Sequence, residues 1–224
     1  MKKITFMLIA VVLLFALSAC GPNYVEEFNA AVDGFNLDLA DYNQATDSFV
    51  DSIDNAETAD EVNAICDAWM AKDLEMLEAT KGYLAEIEGY EEGISDKEAF
   101  NTTVNTLKES VDNIQSDIDA IPDLKEFSRL AYDFENLATE WESIVVAQTD
   151  ELANSADTAS LNAALDGIIA TNNEYSAKMA DVAAELGTLN VKDFQSDVQD
   201  VISEINSAIA TISELNVQME ALKQ

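Results

Sequence analysis

Carboxylates are what this chain has in excess, so any chemistry it performs must start from them. It carries 44 Asp and Glu against 11 Lys and Arg, and no histidine. Glu86, Glu88, Glu91 and Glu92 crowd one short segment between two apolar-periodic stretches. They are the best candidate for a cation, because hard divalent ions take carboxylate oxygens. Asp47, Asp51 and Asp54 recur at helical spacing, as do Asp193, Asp197, Asp200 and Glu204. Such rows are expected to be solvated helix faces first and loose cation holders second. The rest of the inventory is short. Without histidine, Ser/His/Asp and Cys/His catalysis, the usual haem ligand, the Glu-x-x-His pairs of di-iron bundles and the common zinc sites are all removed. Neither a glycine-rich phosphate loop nor a calcium loop of the Asp-x-Asp-x-Asp-Gly kind occurs. The expectation is a protein that is not an enzyme, with no catalytic residue, no cofactor and no committed metal site.

The two cysteines, Cys20 and Cys66, stand in different settings. Cys66 falls among helically spaced apolar residues and reads as a small hydrophobe rather than a reactive thiol. Before Cys20, Lys2 and Lys3 precede an apolar run from Ile4 to Leu17, and Ser18 and Ala19 lead into the cysteine. A positive start, an apolar middle and small residues at the end are the parts of a secretory signal. The run is also short of the roughly 20 residues a spanning helix needs.

The segment Leu17, Ser18, Ala19, Cys20 resembles the lipobox of bacterial lipoproteins. That resemblance implies that residues 1–19 are a signal peptide and that Cys20 is acylated as the first mature residue. Residues 20–22 are then a short tether, and the protein is held in the bacterial cell envelope. Gly21, in place of an aspartate, favours the outer membrane where the organism has one. Several acyl chains on one cysteine anchor more firmly than a single chain, which binds only marginally. The mature body matches no family motif.

Those elements must be helices. Val25, Phe28, Val32, Phe35, Leu39, Tyr42, Phe49 and Ile53 alternate at spacings of three and four, with Thr46 in the same register. Asn23 is the expected N-cap of this helix, with Glu26 at its third position. Thr58 with Glu61, and Ser95 with Glu98, read as capping boxes opening a second and a third helix. The second carries Val62, Ile65, Trp69, Met76, Tyr83 and Ile87, flanked by Leu74, Leu77 and Leu84; the third runs from Phe100 to Ile121. Pro122 is expected to end the third, since proline lacks an amide donor and disfavours helix at the residue before it. A fourth helix, capped by Asp123 and Glu126, carries Phe127, Leu130, Phe134, Leu137, Trp141, Ile144 and Gln148. A fifth follows Thr158 to Leu186, and a sixth begins near Asn190.

The spacing Phe28, Phe35, Tyr42 returns in Phe127, Phe134, Trp141, and Ala56, Thr58, Ala59 return in Ala156, Thr158, Ala159. Cys66 then falls opposite Asp166. The expected fold is all-α, an antiparallel helical bundle of six long helices in two tandem three-helix units, residues 23–121 and 122–224. Each unit is similar in length and helix count to a spectrin-type repeat.

Charge bounds the partners. Loss of Lys2 and Lys3 with the signal takes the formal charge from −33 to −35. Nucleic acid is excluded as a partner of the body, because phosphate contacts are made by Lys and Arg. The membrane is reached through the lipid on Cys20. Two functional classes remain. One is a structural or protein-interaction module that engages another, basic envelope protein; it predicts an exposed apolar patch. The other is a binding protein for a small ligand or cations between its helices; it predicts a concave pocket with converging polar groups. The polar seam residues Thr46, Gln148 and Asn172 either fix helix register or line such a cavity.

Overall fold

The structure, a computed structural model, describes residues 22–189 and 195–223. The lipobox with Cys20, and the start expected for the last helix (Asn190, Val191, Asp193, Phe194), lie outside the described residues. Among those described, every regular element is helical. They are α1 (Pro22–Asp54), α2 (Ala59–Glu88), a 3₁₀ turn (Glu91–Gly93), α3 (Lys97–Ala153), α4 (Thr158–Leu186) and α5 (Gln195–Leu222). No helix among them is long and apolar enough to cross a membrane.

Among the described residues the expected six helices are five, because α3 continues past Pro122. An interior proline costs about 3 kcal/mol through its missing hydrogen bond and its ring. Ile121, Leu124 and Phe127 around it are all buried. Burying each contributes roughly 1.5–3 kcal/mol, so an unbroken seam outweighs the proline. Pro122 itself is exposed, where water can satisfy the carbonyl it leaves unpaired. Asp123 and Glu126 therefore cap nothing. Glu126 instead accepts from the Arg129 guanidinium at 2.6 and 3.0 Å.

By packing, the chain divides into two compact units, up to Pro122 and from Asp123 on. In unit 1, α1 and α2 form a hairpin joined by a short turn, and α3 up to Pro122 is the third helix. Its core is aromatic: from α1, Phe28 meets Phe100, Phe35 meets Tyr83, and Tyr42 and Phe49 meet Trp69. Phe49 stacks on Trp69 with ring centroids 4.7 Å apart. In unit 2, α4 packs on α5; Leu165, Ile168, Met179 and Leu186 are buried on the first and Val198, Ile205 and Ile212 on the second. The α3 segment of this unit buries Leu124, Phe127 and Leu130, but beyond them Phe134, Leu137, Trp141 and Ile144 are only half-buried.

The helix starts differ in detail from the sequence expectation. Helix α1 begins at Pro22, a favoured first position, which puts Asn23 inside the helix and not at its cap. The Thr58 hydroxyl does accept from the Glu61 amide, at 3.2 Å, while the Glu61 carboxylate reaches one residue further back, to the Glu57 amide. At α3 it is the Asp96 carboxylate, not Ser95, that takes the Ala99 amide, at 3.0 Å. At α4 the cap is Asp157, in a reciprocal box with Ser160.

Candidate functional site

The acidic loop does not assemble into a site. Among the described residues no three carboxylate or thiol side chains come together as a metal would require. Glu86 accepts from the Tyr90 hydroxyl at 2.9 Å, Glu88 pairs with Lys108 at 2.8 Å, and Glu91 and Glu92 stand exposed. Asp47 and Asp51 on α1, and Asp200 and Glu204 on α5, are solvated faces.

Polar chemistry gathers instead inside each unit. On α2, Val62, Cys66, Trp69, Asp73, Met76 and Thr80 are buried at alternating spacings of four and three, with Ile87 seven residues further on and Leu77 beside them, and this places an aspartate and a threonine in the seam. The Tyr42 hydroxyl donates to Asp73 Oδ1 at 2.8 Å. Asp73 Oδ2 and the neighbouring Trp69 Nε1 are both buried without a hydrogen-bond partner. Burial pushes the Asp73 carboxyl up to about 7; the Tyr42 bond opposes this and the nearby Asp117 charge on α3 adds to it. Burial, and then the Asp73 charge, raise the Tyr42 phenol as well.

Unit 2 carries the same arrangement in neutral form. Trp141 Nε1 donates to Asn172 Oδ1 at 2.8 Å; this pair spans 31 residues, as Tyr42 to Asp73 does, and lies 99 residues further on (42 to 141, 73 to 172). Asn172 Nδ2 then donates to Asn216 Oδ1 on α5, and Asn216 Nδ2 to Asn173 Oδ1. The same interval of 99 relates the caps Thr58 and Asp157, so the match of Thr58 with Thr158 read from the sequence is one residue out. Cys66 accordingly corresponds to Leu165, not Asp166, and both are fully buried. Of the polar seam residues, Thr46 is buried with its hydroxyl on the Tyr42 carbonyl of its own helix. Gln148 donates to Thr171 at 2.9 Å, across from α3 to α4. Asp73, Asp117 and Asn216 were not singled out from sequence, although the alternation through Cys66 and Trp69 points to Asp73.

One open groove of about 730 Å³ lies in unit 2, between α3 and α4. Leu137 and Val182 supply its apolar surface, and Asp133, Glu140 and Asp181 are its carboxylates. At one end the guanidinium of Arg129 holds Asp133 at 2.5 Å and Glu185 on α4 at 3.1 Å. Hydrogen bonding from Arg129 draws the Glu126 carboxyl below its usual range. Lys178 is engaged by Glu174 at 2.7 Å and lies over the Tyr175 ring. Burial and then hydrogen bonding to Glu140 raise the Tyr175 phenol. Six carboxylates thus surround two cations here. The arrangement has no nucleophile activated by a base; it can hold charge and apolar surface, and it can dock.

Comparison of the chain with protein-family models, with curated proteins and with solved structures finds no match to any of the three.

Proposed function

We propose that the mature protein is an acidic, lipid-anchored module of the bacterial cell envelope that works by presenting helix faces to another envelope protein. It is not an enzyme, and its body is a tandem repeat of two three-helix units that share helix α3. The observation that carries this reading is the uncovered apolar stripe on α3 of unit 2. Phe134, Leu137, Trp141 and Ile144 are only half-buried, whereas Phe35 and Tyr42 of unit 1, which match Phe134 and Trp141, are covered. An apolar stripe left open on so charged a body is the mark of a contact surface. Cys20 supplies the anchor, and the short tether of residues 20–22 keeps the body close to the membrane.

Two experiments test it. Cell fractionation of wild type and Cys20→Ala should show the wild type with the membranes and the variant released; a variant still in the membrane after signal removal refutes the anchor. Crosslinking of the tagged protein in intact envelopes, followed by mass spectrometry, should place adducts on the face that carries Phe134, Leu137, Trp141 and Ile144. Adducts scattered over both units would refute the contact surface.

A further inference from the structure

The groove of unit 2 exists because of side-chain replacements that the internal comparison exposes. In unit 1, Tyr83 of α2 crosses to α1. Its hydroxyl donates to Asp38 at 2.8 Å, its ring meets Phe35 edge-on at 6.0 Å, and it lies so close over Gly34 that a Cβ there would come within 3.0 Å of the hydroxyl. The positions 99 residues on are Asp133 for Gly34, Leu137 for Asp38 and Val182 for Tyr83. All three line the groove. The tyrosine that closes unit 1 is a valine in unit 2, its acceptor is a leucine, and the space between α3 and α4 stays open.

Resting on the interaction reading above, we propose that this groove is the docking site for a basic, amphipathic segment of a partner protein, seating an apolar side chain on Leu137 and Val182 and its Lys or Arg residues against Glu140 and Asp181. Charge complementarity selects that occupant. Of the six carboxylates, Glu126, Asp133 and Glu185 are bound to Arg129 and Glu174 to Lys178, which leaves Glu140 and Asp181 on the groove with no cation paired to them. An anionic segment or a nucleic acid would be repelled, and a purely apolar one would leave the acidic rim desolvated and unpaired. The groove is open along α3 from Asp133 to Ser143, about three helical turns, which suits the face of a helix; a small molecule would be left largely in water.

The test uses the full lipidated protein in nanodiscs of zwitterionic lipid, with empty discs as the blank. Two labelled peptides of about 14 residues, roughly 20 Å of helix, serve as probes: one with Leu and Lys on opposite helix faces, one with the same lysines and Gln for every Leu. At about 0.15 M salt, where long-range attraction is damped, the first should saturate at one per chain and the second bind about tenfold more weakly or worse. Val182→Tyr, which restores the unit 1 residue, should weaken the first peptide by about tenfold or more, and Tyr83→Val in unit 1 should leave that site unchanged. Because Val182 is buried and the tyrosine could disturb folding, Asp181→Lys on the exposed rim carries the same expectation. Equal binding of the two peptides, or undiminished binding by both variants with unchanged circular dichroism, would overturn the proposal, as would a small diamine that saturates the groove as tightly as the peptide. If crosslinked partners persist in Val182→Tyr, the interaction reading stands and the groove falls; if the peptide saturates but no partner is ever crosslinked, the reverse holds.

Discussion

Tyr42 with Asp73 in unit 1 and Trp141 with Asn172 in unit 2 occupy matching places, yet they solve the burial of a polar side chain in opposite ways. Asn172 spends both ends of its amide, accepting from Trp141 and donating to Asn216. Asp73 accepts from Tyr42 with one oxygen and leaves the other buried without a partner, near a second carboxylate, Asp117. A neutral amide can be fully satisfied in a helical core, whereas a carboxylate there is satisfied only when it carries a proton. The lesson is that one repeat is insensitive to pH at this layer and the other is poised to respond to it.

Exchanging the two side chains gives the largest expected effects. Unfolded Asp titrates near 3.9, and folded Asp73 near 7, so between those values the folded state holds the extra proton. Its contribution is complete below pH ~4, fades as pH rises and is gone above ~7. Asp73→Asn keeps the acceptor for Tyr42 and removes the buried charge near Asp117, so it should stabilise unit 1 by about 2–4 kcal/mol at pH 8 and by far less at pH 5. Asn172→Asp should do the converse in unit 2, costing about 2–4 kcal/mol at pH 8 and recovering in acid. The two tryptophans make this readable, since Trp69 lies in unit 1 and Trp141 in unit 2. Denaturation followed by fluorescence in Trp141→Phe and Trp69→Phe backgrounds separates them. A stability of unit 1 that rises from pH 5 to pH 8 would mean that Asp73 is ionised and well paired.

Removing the donors is a smaller change of the same kind. Tyr42→Phe leaves the Asp73 carboxylate with neither oxygen bonded and should cost about 1–3 kcal/mol at pH 8, with a lower cost at pH 5, where the acid is neutral. Trp141→Phe takes one bond from the buried Asn172 Oδ1 and should cost about 1–2 kcal/mol, equally at both pH values because no group there titrates. Urea midpoints by circular dichroism at the two pH values decide the point: equal pH dependence in the two variants would contradict a charged layer in one unit and a neutral one in the other.

Much of this was legible in the sequence, and the failures have causes. The helices, their turns at 55–58 and 154–157 and their seams follow from apolar spacing alone, because burial of those residues dominates the energetics. Pro122 misled because a local rule was weighed without the apolar residues on both sides of it, Ile121 and Leu124, whose joint burial keeps α3 whole. Asp73 sat in plain alternation with Trp69 and Met76 but was masked by Leu74 and Leu77, which widen the apparent stripe; Leu77 is buried and Leu74 is half exposed. The groove could not be read at all. It depends on what Tyr83 and Val182 meet across a helix pair, and single-chain spacing says nothing about a cross-helix partner until the register between helices is known.

The caps carry the smallest and most local contrast between the units. Thr58 holds the start of α2 with a hydroxyl, and Asp157 holds the start of α4 with a carboxylate whose pKa is drawn down by its hydrogen bonds to Ser160. Thr58→Ala should cost about 1 kcal/mol at any pH, since a hydroxyl does not titrate. Asp157→Asn keeps an accepting oxygen at the cap and changes little near neutrality, but it removes an acid-sensitive term. The sign is opposite to that of Asp73: a depressed carboxyl gives stability that is present above the unfolded value near 3.9 and is lost as pH falls through the lower folded value. Acidifying from pH 5 to pH 2 should therefore loosen the first turn of α4 in the wild type, leave α2 unaffected by its cap, and spare Asp157→Asn. Amide hydrogen exchange at Ser160 and Leu161, compared with Glu61 and Val62, reads both ends in one sample. Exchange at Ser160 that accelerates equally in wild type and Asp157→Asn would show that the acid response of α4 arises elsewhere than at its cap.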